Sequence, residues 1–311
     1  MLKYALRRLV YMIPILFGIT LVTFLLFNVA GGNPAIVAAG RYATPEQIAM
    51  IKAQLGLDKP LFMQYLDFLR QIFTLDFGYS WFTKQKISTL FMDGVGPSLS
   101  ITVPAFLISL AITIPLGLLL AFFRKSTLDR TILVIALAGI SISSVVYVIA
   151  GQYVFSYKLG LFPISGWETG WDTRWEFAVL PIIILVVLTV GTDLLFYRTV
   201  FLEEIHQDYV RTARSKGLSN RTILWKHVLS NSLVPIITLV ILEIPTLLTG
   251  TLLIESFFGI PGLGGLIYQS IENSDFPVIK AVTVMTAILY MVFQLLSDLL
   301  YAWVDPKIRL G

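Results

Sequence analysis

Residues 99–123 read LSITVPAFLISLAITIPLGLLLAFF and contain no charged side chain. A hydrocarbon layer about 30 Å thick requires roughly 20 apolar residues at a helical rise of about 1.5 Å. The run meets that length. Its Pro104, Pro115 and Gly117 would count against a helix in water. In a membrane they are tolerated, because neighbouring helices answer the freed backbone groups. The same test picks out Leu9–Ala30, Ile132–Tyr157, Phe177–Tyr197, Ser232–Ile254 and Ala281–Val304. Ile132–Tyr157 is also free of charge, whereas the last three carry Asp193, Glu243 and Asp298 respectively. The sequence therefore predicts an all-α integral membrane protein with six transmembrane helices.

Composition agrees. Apolar residues make up 56% and charged residues 14% of the chain, against roughly 45–50% and about 25% in soluble domains. There is no cysteine, which removes disulfides, thiol chemistry and cysteine-bound metals. No dense basic run with interleaved aromatics points to nucleic acid. The first apolar run follows Lys3, Arg7 and Arg8, as in a signal peptide, but it exceeds the usual apolar stretch of about 7–15 residues and reads as an uncleaved span. Six crossings put both termini on one side. Segments 1–8, 124–131, 198–231 and 305–311 hold 14 of the 23 Lys and Arg residues. By the positive-inside rule they are cytoplasmic, with N- and C-termini inside.

Two connections exceed a simple turn. In the outer loop, 31–98, Thr44-Pro45-Glu46-Gln47 has the form of a helix start, with Thr44 capping, Pro45 in the first turn and Gln47 reaching back. Ile48, Ile51 and Leu55 then share a face, and Gly56 and Pro60 end the helix. A second amphipathic segment carries Leu61, Tyr65, Phe68, Leu69 and Ile72. This loop reads as a partly folded cap on the membrane helices, or as a surface that receives a delivery partner. In the inner loop, 198–231, Val210, Ala213 and Gly217 fall on one helical face flanked by Arg211, Arg214 and Lys216. Small residues at Ala213 and Gly217 allow another surface to come close. Physics alone leaves two readings open: a helix gripped by a cytoplasmic partner, and an interfacial helix lying on anionic lipid.

Arg211-Thr212-Ala213, Gly217 and then Leu233-Val234-Pro235 resemble the EAA loop of ABC-importer permeases. Arg211-Thr212 stand in place of the usual Glu-Ala, in the form Asp208-Tyr209-Val210-Arg211-Thr212-Ala213-Arg214 typical of the dipeptide/oligopeptide/nickel branch. Also similar to that branch are Leu2-Lys3-Tyr4, Leu55-Gly56-Leu57-Asp58-Lys59-Pro60, Asp76-Phe77-Gly78-Tyr79-Ser80, Glu255, Phe258-Gly259-Ile260-Pro261-Gly262-Leu263-Gly264 and Asp305-Pro306-Lys307-Ile308-Arg309. The long first outer loop resembles the B-type member of the permease pair. The resemblance implies an organisation of 1–30 as tail and first span, 31–98 as outer cap, and 99–311 as a five-helix permease core containing the loop 198–231. It implies that Tyr209, Arg211, Thr212, Ala213, Arg214 and Gly217 form a coupling helix for an ATPase. The implied partners are a C-type permease, two ABC ATPase subunits carrying ATP and Mg, an extracytoplasmic binding protein and the lipid of a bacterial or archaeal inner membrane. Peptides are the leading cargo, with oligosaccharides and nickel as alternatives.

The chain lacks a G-x-x-x-x-G-K-[ST] phosphate loop, so ATP hydrolysis is assigned to the partners and no cofactor to this chain. An ionised acid at a helix centre costs roughly 2.5–3.5 kcal/mol on insertion scales. Asp193 and Glu243 are accordingly either lining residues of a translocation path or partners of neighbouring hydroxyls, and Asp298 is read as structural. Trp81, Trp167, Trp171 and Trp175 lie in outer loops near span ends and read as interfacial anchors, and the stretch 166–175 reads alternatively as a contact for the binding protein or for stacking on sugar rings. A membrane protease lacks its acid–base set, since His206 and His227 both lie in the inner loop. A stand-alone secondary transporter lacks the expected internal repeat.

Overall fold

The computed structural model describes residues 2–30, 34–39, 43–170 and 173–304. Among them the regular elements are helices, and the only strand-like feature is an isolated antiparallel bridge between Tyr79 and Lys86. Helix α1 (Leu2–Leu25) widens into a π-type turn at Leu26–Ala30. The outer cap comprises α2 (Pro34–Ala39), α3 (Pro45–Gln54) and α4 (Leu61–Thr74). Then follow α5 (Ile87–Phe122), α6 (Thr127–Ser141), α7 (Ser144–Gly151), α8 (Arg174–Ile205), α9 (Asp208–Ser215), α10 (Asn220–Thr222), α11 (Leu229–Thr249), α12 (Leu252–Phe258), α13 (Leu263–Glu272) and α14 (Phe276–Val304).

Five stretches are long and apolar enough to cross a membrane: Arg7–Val29, Ile87–Phe122, Arg174–Ile205, Asn220–Leu247 and Phe276–Leu296. Two further helix pairs qualify only as bent units. Thr127–Ser141 and Ser144–Lys158 meet at 93°, and Leu252–Phe258 and Leu263–Glu272 meet at 82°. The stretch expected as a straight third span is therefore broken. Ile142 and Ser143 adopt extended backbone between α6 and α7. The freed carbonyl of Gly139 is answered by the Tyr147 hydroxyl at 3.0 Å and the Ile142 amide at 3.2 Å, as an apolar surrounding demands. The fifth run, expected to reach Ile254, ends as a helix at Thr249. Gly250 then adopts a positive φ of 70°, and Ile254 belongs to the bent pair. Helix α5, which carries the second apolar run, begins at Ile87, ahead of Leu99.

The seams between helices are set by small residues and a few buried polar pairs. At Gly117 on α5 a Cβ would lie 3.1 Å from the Arg198 backbone nitrogen, so α5 and α8 touch backbone to backbone there. At Gly191 on α8 a Cβ would meet the Ala136 carbonyl at 3.2 Å, bringing α6 equally close. Arg198 of α8 grips Asp129 of α6 in two hydrogen bonds, Nε to Oδ1 at 2.7 Å and Nη2 to Oδ2 at 2.8 Å. The Lys125 amide adds a third at 2.9 Å. Asp298 accepts from Arg8 at 3.0 Å, which ties α14 to α1 and supports its structural reading.

The cap follows its sequence signals in part. The capping box is formed: Gln47 N donates to Thr44 Oγ1 at 3.3 Å and Thr44 N to Gln47 Oε1 at 2.9 Å. Helix α3 has no buried residue, however, so the shared face of Ile48, Ile51 and Leu55 is not a core face. Helix α4 buries Phe68 and Ile72, while Leu61 is exposed. Phe68 stacks on Phe24 of α1, and Tyr65 shares a hydrogen bond with Thr20 at 3.0 Å. The cap is locked to α14 by Asp275, which accepts from Ser80 Oγ and from the amides of Trp81 and Phe82.

The Arg198–Asp129 side chains are 15% and 3% exposed. Removing one partner of such a pair strands a charge and costs roughly 3 kcal/mol, whereas replacing both costs less. Arg198→Met is expected to lower the melting temperature of the detergent-solubilised protein more than Arg198→Met combined with Asp129→Leu does. Equal losses would show that the pair carries no coupling energy.

Candidate functional site

The inner loop begins where α8 runs past its apolar stretch to Ile205. His206 and Gln207 turn the chain, and α9 starts at Asp208, whose acid suits a helix N-terminus. Helix α9 ends at Ser215, and Gly217 takes a left-handed φ of 73° with open space where a Cβ would stand. Val210 and Ala213 are buried, at 1% and 5% exposure. They pack with Tyr197 and Phe201 of α8, Leu118 and Ala121 of α5, and Ile223 and Val228 of the segment entering α11. This corrects the expectation that Ala213 and Gly217 together offer a face to another surface. Ala213 is small because α9 lies close against the chain's own helices, and Gly217 is a turn residue on the exposed side.

The opposite face of α9 is free to water. Asp208, Arg211, Thr212, Arg214 and Ser215 are exposed. Arg211 forms only a loose ion pair with Asp208, at 3.4 Å between well-exposed side chains. Tyr209 lies between the two faces, and its hydroxyl donates to Glu204 at 2.6 Å. Burial, and then the neighbouring Glu204 carboxylate, hold its phenol above its ordinary range. Helix α9 is thus anchored by apolar burial and a tyrosine–carboxylate bond, and it presents a basic, polar face outward.

Within the helices, Asp193 and Glu243 line one cavity of about 250 Å³ between α5, α8 and α11. Thr102, Ser109, Thr189 and Thr246 share its wall. Ser109 Oγ donates to Asp193 Oδ2 at 2.8 Å, and Thr189 Oγ1 donates to Ser109 Oγ at 3.2 Å. Asp193 thus borders a cavity and accepts a hydrogen bond from the Ser109 hydroxyl.

Glu255, recognised in the sequence only as part of a motif, holds the cavity's end in place. It is fully buried. Oε1 accepts from Thr251 N and from Ser98 Oγ, each at 2.9 Å, and Oε2 accepts from Gly265 N at 2.9 Å. Ser98 Oγ in turn accepts from Leu263 N at 2.8 Å. One carboxylate and one hydroxyl thereby answer the amides freed where α12 and α13 double back. The glycines follow from the space this takes: at Gly250 and Gly262 a Cβ would collide with the Glu255 carboxylate. The sequence signal was present, as an acid followed by Gly259, Gly262, Gly264 and Gly265, but which groups the acid serves depends on Ser98, far away in the chain. Asp129 was likewise missed, because its partner Arg198 is remote in sequence.

Residues 113–310 match the family described as binding-protein-dependent transport system inner membrane component, and residues 1–102 match the N-terminal family of such membrane components. The chain belongs to this family. The resemblance to ABC-importer permeases of the B type thus holds along almost its whole length. A dipeptide transport system permease protein of Lactococcus lactis subsp. cremoris is 36% identical over 311 residues, covering 100% of both chains. A glutathione transport system permease protein of Salmonella choleraesuis is 31% identical over 309 residues, covering 99% of each. Among solved structures, an inward-facing form of the MetNI methionine ABC transporter superposes with a TM-score of 0.56 at 20% identity, covering 70% of this permease and 97% of that chain. That likeness extends the permease fold to this protein.

Two expectations follow for the permease. Glu255→Gln turns an amide group toward buried N–H donors and leaves one unanswered, at a cost of roughly 1–3 kcal/mol. A clear drop in melting temperature checks this, and an unchanged value refutes the assignment of Glu255 as the acceptor. Ala213→Leu overpacks the α9 seat by roughly 1–3 kcal/mol, and exposed Arg214→Leu does not. The two are compared by the same melting measurement.

Proposed function

We propose that this permease forms one half of the membrane path of an ATP-driven peptide importer. In this reading α9 is the coupling helix. A closing ATPase pushes it, and the push passes to α8. The observation that carries the reading is the two-sided character of α9: Val210 and Ala213 are embedded in the permease's own core, while Arg211, Thr212 and Arg214 are exposed on the other side. An interfacial helix resting on lipid would place its apolar face toward the acyl chains. Here that face is already occupied by protein.

The rest of the organisation follows from the same reading. The chain crosses six times if the bent pair α6–α7 counts as one crossing and α12–α13 as a re-entrant hairpin. Both termini and α9 then lie in the cytoplasm, and the cap lies outside. The 31–98 cap is the outer unit and 99–311 the permease core, and the two are joined through the ends of α1 and α14. A C-type permease completes the path, two ATPase subunits carry ATP and Mg, and an extracytoplasmic binding protein brings the cargo. The names of the dipeptide and glutathione relatives support peptides as that cargo. Asp193 and Glu243 line the path and meet the positively charged amino terminus of the peptide, a role supported by their common cavity.

Reversing charge on the free face tests the coupling. In proteoliposomes holding the complete transporter, Arg211→Glu with Arg214→Glu is expected to abolish most of the ATPase stimulation by peptide-loaded binding protein. The permease itself should keep its melting temperature. Full stimulation in the double variant would remove α9 as the coupling element. Peptide selectivity is tested in the same vesicles. Asp193→Asn with Glu243→Gln is expected to lower uptake of a free-amine peptide more than that of its N-acetylated form. Equal uptake of both peptides, unchanged from the parent protein, would exclude these acids from the path.

A further inference from the structure

A second cavity, of about 260 Å³, lies beneath the turn that joins α3 to α4. It is walled by the end of α1, by α4, by the segment after α4 and by the first turns of α14, and it shares no lining residue with the Asp193 cavity. Its volume falls just below the range of roughly 300–1,000 Å³ usual for small-molecule sites, which suits one chemical group better than a whole oligopeptide.

Lys280 of α14 projects into this cavity. Its Nζ donates to Asn28 Oδ1 at 2.9 Å and lies 5.7 Å from the centre of the Phe68 ring. Both neighbours are uncharged. An ammonium has three donors, and Asn28 takes one. Among the described residues no carboxylate forms an ion pair with Lys280. Among the described residues the one acid on the cavity wall, Asp67, is already engaged by Lys59 at 2.7 Å.

The lysine is also held in place. Asn28 Nδ2 donates to Gln64 Oε1 at 3.2 Å, and Gln64 Nε2 donates to the carbonyls of Leu57 at 3.3 Å and Lys59 at 2.8 Å. This chain of amides fixes the Asn28 oxygen toward Lys280. A lysine near a helix end ordinarily stretches its ammonium into bulk water. Here it is retained under the cap against an aromatic ring, where a cation with no counter-charge is costly. A bound anion offsets that cost, and the side chains of Gln54, Gln71 and Trp81 on the same wall offer further N–H donors.

We propose that this cavity is a binding site for a single oxyanionic group, a carboxylate or a phosphate, seated on the Lys280 ammonium. The group comes from the phosphate of an anionic lipid or from the carboxylate of a free solute. The proposal stands independently of the coupling role of α9 and of the path through the Asp193 cavity.

Reductive methylation of the intact transporter in nanodiscs, followed by mass spectrometry of the Lys280 peptide, tests it, with exposed Lys52 as internal reference. One arm compares discs of phosphatidylcholine alone with discs containing phosphatidylglycerol. The other adds trialanine or trialanine amide to phosphatidylcholine discs. At a ligand concentration ten times its Kd, modification of Lys280 relative to Lys52 is expected to fall to roughly one-tenth. Protection by phosphatidylglycerol assigns a lipid phosphate. Protection by trialanine but not by its amide assigns a free carboxylate. Equal protection by trialanine and its amide, protection in neither arm, or a Lys280 that is unreactive throughout overturns the proposal.

Discussion

Inside a hydrocarbon layer each peptide N–H and C=O must find its partner within the protein, because no water is there to accept or donate. A straight helix meets this demand by itself. Each place where this permease departs from a straight helix must meet it by other means. At Ile142–Ser143 the means are a tyrosine hydroxyl and a tightened turn. Between Gly250 and Gly265 they are Glu255 and Ser98, which together receive the amides of Thr251, Leu263 and Gly265. A carboxylate is suited to this task because its two oxygens accept several hydrogen bonds at once, and bonds to an ionised acceptor are the stronger kind. The helix pair α12–α13 can double back only because that acceptor is there.

The same network reaches the cavity. Gly250 and Thr251, which border Glu255, also line the space that holds Asp193 and Glu243. Ser98, the relay to Leu263, lies on α5, and α5 carries Ser109, the partner of Asp193. At the other end of α8, Tyr197 follows Asp193 by one helical turn and is packed in the cluster that seats α9. Apolar interiors are close-packed and transmit displacement because voids are few. On the proposed reading, a push on α9 would reach Tyr197 through this cluster, one helical turn from the acid in the cavity.

The fold was legible where the apolar runs are long and uninterrupted. The charge-free run 99–123 lies within the single helix α5, as its hydropathy indicates. The breaks were harder to see. In 132–157 only Gly139 and a serine cluster mark the bend, and both residue types are tolerated in membrane helices, while Pro is absent. At the end of α11, Gly250 follows an apolar stretch that continues through Leu252, Leu253 and Ile254, so hydropathy alone carries the span too far. The cap showed the reverse case. Thr44 and Gln47 announced α3 through local capping chemistry, and they were right. The apolar spacing of α3 did not carry through to full burial: Ile48 and Ile51 are half-buried and Leu55 is exposed.

The inner loop was legible as a helix with two faces but not in the assignment of those faces. The spacing of Val210, Ala213 and Gly217 identifies one side, and small residues mean close approach. Spacing does not say which surface makes that approach. The deciding signal is charge on the other side of α9. Asp208, Arg211, Arg214 and Ser215 could not be buried without partners, so the side with Val210 and Ala213 had to be the one turned inward. Once that is granted, Gly217 cannot share the role of Ala213. It stands two residues beyond the helix end, in a backbone conformation that favours glycine, and its Cβ position is open. One residue is small for packing and the other for its φ angle, and only the three-dimensional arrangement separates the two causes. On the proposed coupling role, what remains for a partner is the polar face, where recognition would rest on charge and hydrogen bonding and not on the small-residue groove the spacing first suggested.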